Sequence, residues 1–190
     1  MLAFALVAAG TPARQNPSPT KDQKEQKDDA EGFKEFSDRV QDYIKLQKSV
    51  ESKLPALKST DLPELITAHQ QALARMIREA RPSAKAGDIF TSSAREAFRH
   101  AIRRTFEGPR AGNARATMEQ GAPLKDVHLQ VNEIYPDAVP YTTVPPTLLA
   151  KFPTLPDSLA YRVVGPNLVL IDVKSNLVVD LAHELIPSKP

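Results

Sequence analysis

The sequence contains no cysteine and no tryptophan, and only seven of its 190 residues are glycine. Without cysteine, the chain has no disulfide framework, no thiolate nucleophile and no thiolate metal ligand. It also lacks the Gly-x-Ser-x-Gly elbow, the Walker loop and the dinucleotide fingerprint. The formal net charge of +2 at pH 7 is too small to indicate nucleic-acid or membrane binding. These absences exclude thiol catalysis and the common nucleotide-binding motifs.

The overall composition is that of an ordinary folded protein. Hydrophobic residues make up 41% of the chain and charged residues 25%. A chain of this length removes roughly 70% of its unfolded surface from water on folding. It can therefore build a core without a metal or disulfide staple.

The four histidines are His69, His100, His128 and His183. None has a second ligand at the helical or hairpin spacing of a zinc site. His183 and Glu184 begin like a zincin motif, but no second histidine follows. The sequence predicts no metal site and no cofactor.

The N-terminus resembles the end of a secretory signal. An apolar run from Leu2 to Ala9 precedes small residues up to Ala13, where cleavage is expected. The run is shorter than the about 20 apolar residues that cross a bilayer, so no transmembrane segment is predicted. No Lys or Arg opens the run, so residues 1–13 are either a signal truncated at its start or a short apolar strand. The signal interpretation places the protein in the periplasm or outside the cell.

Residues 14–31 are rich in proline and charge and almost free of apolar side chains, so we predict a disordered leader. Residues 32–118 carry three apolar stripes with helical spacing, around Phe33 to Leu54, Leu65 to Ala80 and Ala94 to Phe106. Two pairs of residues have the three-residue spacing of a capping box, which marks a helix start: Asp61 with Glu64, and Ser93 with Glu96. Stripes of this kind favour a small antiparallel three-helix bundle.

Residues 119–190 change to a strand pattern. A possible strand at 127–131 precedes a segment with six prolines between Tyr135 and Asp157. Three β-rich runs joined by two short turns then predict an antiparallel meander: Leu159 to Val164, Leu168 to Val173 and Leu177 to Leu181. We therefore predict an α+β fold, in which the bundle packs on the sheet as one compact unit.

Three-residue turns predict a specific register for this meander. Val163 would face Val169, Tyr161 would face Ile171 and Leu159 would face Val173. Val179 and Leu181 would extend the same apolar face. The opposite face would carry Arg162, Leu170, Asp172, Val178 and Asp180.

The C-terminal sequence, from Leu159–Gly165 through Leu170–Val173 to Asn176–Asp180, resembles the tail of a family of uncharacterised exported bacterial proteins. The resemblance covers about the last third of the chain. It implies a fold and an extracytoplasmic location but no activity.

Two groups of charged residues are candidates for a site. Arg162, Asp172 and Asp180 would form a polar cluster on the sheet, where surface ion pairing is favoured over an acid and base pair. Arg95, Arg99 and Arg103 recur every four residues on the third helix, next to Arg104. Residues 75–115 hold ten Lys or Arg against four Asp or Glu. This face would bind an anion, or it is a solvated face neutralised by Glu96, Glu107 and the acidic sheet region.

Two functional hypotheses follow. The first is an exported, non-enzymatic protein that acts through surface contacts with an anionic envelope polymer, lipid head groups or an acidic protein. No nucleic-acid partner is expected, because no aromatic residues interleave with the arginines. The alternative is a small hydrolase or lyase that uses Asp172, Asp180 or His128 beneath the proline-rich segment.

Overall fold

The computed structural model describes residues 20–57, 61–109, 111–112, 128–136, 139–140 and 142–187. Its elements are α1 (Lys21–Glu51), α2 (Pro63–Ala80), α3 (Ser92–Phe106), α4 (Pro146–Leu149), β1 (Leu159–Val164), β2 (Asn167–Asp172) and β3 (Leu177–Ala182). The helices pack on one antiparallel sheet with strand order β1-β2-β3. This confirms the predicted α+β fold. The predicted signal, residues 1–13, lies outside the described residues.

The first helix begins much earlier than predicted. Thr20 caps α1 through a capping box with Gln23, and the helix runs for 31 residues. Residues 21–31 are therefore helical, and the prediction of disorder is wrong for them; residues 14–19 lie outside the described chain. Disorder was predicted because this stretch has almost no apolar side chains to bury. This stretch is instead held by ion pairs to α3.

The crossing of α1 and α3 depends on a glycine. Gly32 is buried, and a Cβ atom placed there would lie 2.6 Å from the carbonyl oxygen of Ser93 and 3.1 Å from the Cβ of Ala97. Real Cβ atoms essentially never approach another atom within 3.0 Å. The two backbones can therefore approach this closely only because residue 32 has no side chain.

The predicted caps of the other two helices are wrong. α2 follows Leu62, which makes no side-chain cap, and Pro63 occupies its first position, where a missing N–H costs nothing. α3 is capped by Thr91, whose hydroxyl accepts a hydrogen bond from the Ala94 N–H. Both helices exist where the apolar stripes predicted them, since the stripes carry more information than the cap residues.

The sheet register differs from the prediction by one residue in the first hairpin. Gly165 has a φ of 57° and forms a two-residue turn with Pro166. Val163 therefore faces Leu168, and Tyr161 faces Leu170. Two-residue turns with positive φ match the strand twist, and a one-residue shift moves every β2 side chain to the other face.

The second hairpin contains a β-bulge. Val169 faces Leu181 as predicted, but Ile171 faces Val178 rather than Val179, because the register shifts between Leu170 and Ile171. Val179 is the extra residue on β3, and its carbonyl oxygen accepts both Arg81 Nη1 and Nη2 at 3.1 Å. The bulge thus gives α2 a backbone acceptor on the sheet.

Both faces of the sheet are covered. On the helix side, the ring centroids of Phe98 and Phe152 lie 4.6 Å apart within a larger aromatic cluster. On the outer side, Leu129, Val131, Tyr135 and Val139 pack against β-strand residues. Residues 128–131 form no strand, so the predicted fourth strand is not found there, and Val127 lies outside the described residues. The start of the proline-rich segment covers the outer face.

Among the residues that the structure describes, none of the helices combines the length and apolar content needed to cross a bilayer.

Candidate functional site

Asp180 lies buried on the helix side of the sheet, not on the solvated face predicted for it. One carboxylate oxygen accepts the N–H groups of Gly87 and Leu181 at 2.8 and 2.7 Å. The other accepts those of Ile89 and Phe90, both at 2.7 Å. Burial raises the pKa of Asp180, and these four amide donors oppose the rise. The carboxylate fastens the loop between α2 and α3 to β3.

Asp172 has a comparable structural role at the end of β2. One oxygen accepts Tyr43 Oη at 2.7 Å and Gln47 Nε2 at 2.6 Å, which ties α1 to the sheet. The other accepts the N–H groups of Lys174 and Ser175, which closes the turn before β3. Burial and the neighbouring Asp172 raise the pKa of Tyr43. Asp172 therefore holds α1, β2 and the turn together.

The predicted polar cluster on the sheet is not formed. Asp172 and Asp180 are both fully buried on the helix side. Arg162 faces Val169 on the outer side, because the register is shifted by one residue, and its Nη1 donates to the Tyr161 carbonyl. His128 is exposed at the start of the segment over the outer face. The structure therefore separates Arg162 and His128 from the two carboxylates, which are both buried on the helix side.

The basic face of α3 is largely neutralised within the chain. Arg103 and Arg104 both donate to Glu25 at 3.1 Å, and Arg104 also donates to Asp29 at 2.8 Å. Arg99 pairs with Glu96, which lowers the pKa of Glu96. The predicted helical spacing is correct, but most of the neutralising acids belong to α1 and not to the sheet region.

Arg95 makes a different contact from the other three arginines. Its Nη2 donates to the carbonyl oxygen of His183, just after β3, at 3.2 Å. It therefore links α3 to the C-terminal segment. Together, these contacts leave the α3 arginines less available to an external anion than the sequence suggested.

Glu25, Asp29 and His100 form the one group of possible metal ligands found among the described residues, with ligand atoms within 4.8 Å of one another. Nδ1 of His100 lies 2.7 Å from an oxygen of Asp29. The two guanidinium groups described above already balance these carboxylates. We therefore assign the cluster to the α1–α3 interface, where it stabilises the N-terminal turns of α1.

The start of α2 is an exposed surface that carries large apolar side chains. Residues 63–68 are all exposed, and we call them the projecting turns. Leu65 is 47% exposed and Ile66 38%, although both belong to the stripe predicted to be buried. Only Leu73, Ala74 and Ile77 of this helix are buried. The first turns of α2 thus diverge from the body of the protein.

This divergence opens a groove of about 750 Å³ between α2 and the end of α1, which we call the α1–α2 groove. Its floor is largely apolar, and Leu57, which is 43% exposed, lies at its edge. The residues that line it are Lys48, Glu51, Ser52, Leu54, Pro55, Ala56, Leu57, Ile66, His69, Gln70 and Lys174. An apolar groove beside exposed leucine and isoleucine side chains is typical of a contact surface.

Charges around this surface are separated. Glu64 lies in the first turn of α2, and Asp61 lies two residues before that helix. Lys48 lines the groove, as do Lys174 and Glu51, which form an ion pair at 2.7 Å. Asp61, Glu64 and Lys48 form no ion pair with any other residue that the structure describes. Asp61 and Glu64 therefore place two acids at or just before the projecting turns, and Lys48 in the groove has no ion-pair partner among the described residues.

A second groove, of about 560 Å³, lies between the end of α3 and α4 and is lined in part by Arg104, Pro146 and Lys151. Neither groove includes Asp172 or Asp180 in its lining. Neither candidate catalytic carboxylate therefore lines either of these two grooves.

No protein-family model, curated protein or solved structure matches this chain. Any functional assignment therefore rests on the geometry.

The sequence analysis did not identify the residues that join α1 to the sheet and to α3, although two sequence signals pointed to them. Gln47 is a polar residue within an otherwise apolar stripe, which indicates a buried hydrogen-bond partner. Glu25 and Asp29 are four residues apart, which places both on one helix face once the segment is known to be helical. The exposure of Leu65 and Ile66 left no signal, because the stripe itself predicts burial.

Proposed function

We propose that this is a non-enzymatic protein that acts through a surface contact made by the projecting turns and the α1–α2 groove. The observation that carries the proposal is the exposure of Leu65 and Ile66, on a helix whose later turns are buried. Contiguous exposed apolar surface marks interaction sites, since leaving it in water costs about 25 cal/mol per Å², and here the exposed side chains adjoin an apolar groove.

The state of the two sheet carboxylates supports this proposal over the hydrolase or lyase. Asp172 and Asp180 are inaccessible to solvent, and each accepts four hydrogen bonds from the protein itself. A substrate would have to displace these donors before it met either oxygen. Their arrangement is that of groups that join helices to a sheet.

The anionic polymer, lipid head group or acidic protein suggested by the sequence remains a prediction for the α3 face. Because Arg99, Arg103 and Arg104 already pair with acids of the same chain, that face has less unneutralised positive charge with which to bind an anion. We therefore place the contact at the other surface, the projecting turns and the groove.

Site-specific photo-crosslinking in the producing cells tests the contact. A photoreactive amino acid at position 65 should give a discrete crosslinked species, and the additional change Ile66→Glu should abolish it. Leu149, which is 46% exposed on α4, provides a control of equal exposure at a distant site. Position 65 giving no discrete species, or the same species as position 149, would refute the proposed contact.

We further propose that residues 1–13 direct export to the periplasm or beyond, on the strength of the apolar run and the small residues at its end. N-terminal sequencing of the mature protein from fractionated cells tests this. A new terminus near Arg14 in the extracytoplasmic fraction is expected, and an intact Met1 in the cytoplasm would contradict it.

A further inference from the structure

The projecting turns and the α1–α2 groove lie side by side on the same end of the molecule. One is an exposed helix segment that carries Leu65 and Ile66, and the other is a concave, largely apolar surface of about 750 Å³ that Ile66 also borders. Amphipathic helices commonly bind by laying an apolar face into such a groove. The chain thus carries both halves of a helix-in-groove contact, and Leu65 of its own projecting turns does not line the groove.

We propose that the occupant of the groove is a second copy of this chain, in a two-fold symmetric dimer. The projecting turns of each copy would lie in the groove of the other. A two-fold contact of this kind uses the same patch on both subunits, so every contact between the projecting turns of one copy and the groove of the other occurs twice. The inference rests on the proposed function, for which it names the partner.

Charge complementarity supports a second copy as the partner. Asp61 and Glu64 are next to the apolar residues of the projecting turns, and Lys48 lines the groove. None of the three is neutralised by another described residue of its own chain. Inserting the acidic turns of one copy into the groove of the other would pair these charges twice per dimer. Complementary charges of this kind fix the register of a contact.

Other occupants explain less of this surface. A separate helical peptide would fill the groove but leave Leu65 in water. An anionic membrane would meet the acidic start of α2 and be repelled by it, since like charges oppose approach. A second copy covers both the groove and the projecting turns at once.

The test is sedimentation velocity of the purified full chain over a wide concentration range. We expect a concentration-dependent dimer, and Leu65→Glu should weaken it by about thirtyfold or more, as for a central interface residue. Leu65 is not part of the core, so the variant should keep the wild-type circular dichroism spectrum and melting temperature. Leu149→Glu, an equally drastic change at an exposed leucine on α4, should leave the dimer intact.

A charge reversal tests the specific pairing. Lys48→Glu and Glu64→Lys should each weaken the dimer, and the double variant should restore it, because the exchanged charges again attract across the two-fold axis. Glu79→Lys, at the exposed far end of α2, is the matched control and should have no effect. If neither Leu65→Glu nor the charge reversals change the dimer dissociation constant, the proposed geometry is overturned.

Failure of the dimer is distinguishable from failure of the proposed function. If the purified chain stays monomeric at every concentration while position 65 crosslinks to a different molecule in cells, the dimer is overturned and the contact surface stands. If the chain is monomeric and position 65 crosslinks to nothing, both proposals are overturned.

Discussion

Replacing Gly32 by alanine tests the close crossing of α1 and α3. In an exposed helix this change stabilises by about 1 kcal/mol, because alanine has the higher helix propensity. Here the new Cβ would lie 2.6 Å from the Ser93 carbonyl oxygen and 3.0 Å from its carbonyl carbon. The contacting atoms belong to the backbone of a packed helix, so they cannot rotate away. The helices themselves must separate.

The expected magnitude follows from these two opposing effects. Overpacking a well-packed contact costs about 1–3 kcal/mol, and occasionally more when backbone must move. Because this contact is with main-chain atoms, we expect the upper part of that range and a net loss of about 1–2 kcal/mol after the propensity gain. For a chain of this size, that corresponds to a fall in melting temperature of roughly 2–8 °C.

The measurement is thermal and urea unfolding followed by far-ultraviolet circular dichroism, which suits a chain without tryptophan. Gly112→Ala is the matched control, because a Cβ there meets nothing within 4 Å, and it should be neutral or slightly stabilising. Ala97→Gly should fail to rescue Gly32→Ala, since the Ser93 carbonyl remains in place. A Gly32→Ala protein as stable as wild type would refute the close crossing.

Two further predictions concern the buried polar groups. Asp180→Asn should lower the free energy of unfolding in urea by about 3–5 kcal/mol, because the new amide NH₂ would face two backbone donors. Asp88 in the same loop accepts a single exposed hydrogen bond, so the control Asp88→Asn should cost under about 1 kcal/mol. Equal losses in the two variants would contradict the fastening role of Asp180. Burial raises the pKa of Tyr43 and of Tyr161 above the ordinary value of 10.0, so both keep their protons when folded and stability should fall as the pH rises above about 10. The urea midpoint should decline less steeply in Tyr43→Phe than in wild type over this range, and identical slopes would show that Tyr43 does not contribute.

The sequence predicted the elements of the fold because their periodicity is local. The apolar stripe from Leu73 to Ile77 and the alternation in β1 each depend on residues within a few positions. The α+β class followed from having both patterns in one chain. The predicted hairpin between β2 and β3 also placed Val169 opposite Leu181 correctly.

The sheet register escaped prediction because the decisive feature is small. A three-residue turn and a two-residue turn at Gly165 differ by one residue, yet the difference moves Asp172 from the solvated face to the core. Both faces of β2 are apolar except at its ends, so hydrophobic pattern alone did not discriminate between the two registers. The wrong turn length therefore led to the wrong prediction that Asp172 lies on the solvated face of the sheet.

What the sequence determined by itself is the presence of three long helices and three strands, because short-range patterning of apolar residues specifies most of each one. The tertiary structure alone decided what the polar and small residues do. Asp180 fastens a loop, Glu25 and Asp29 neutralise the arginines of α3, and Gly32 admits another helix, in each case through a partner at least sixty positions away. It also decided that no other part of the described chain covers Leu65 and Ile66, since burial depends on whether another surface reaches a stripe and not on the stripe itself.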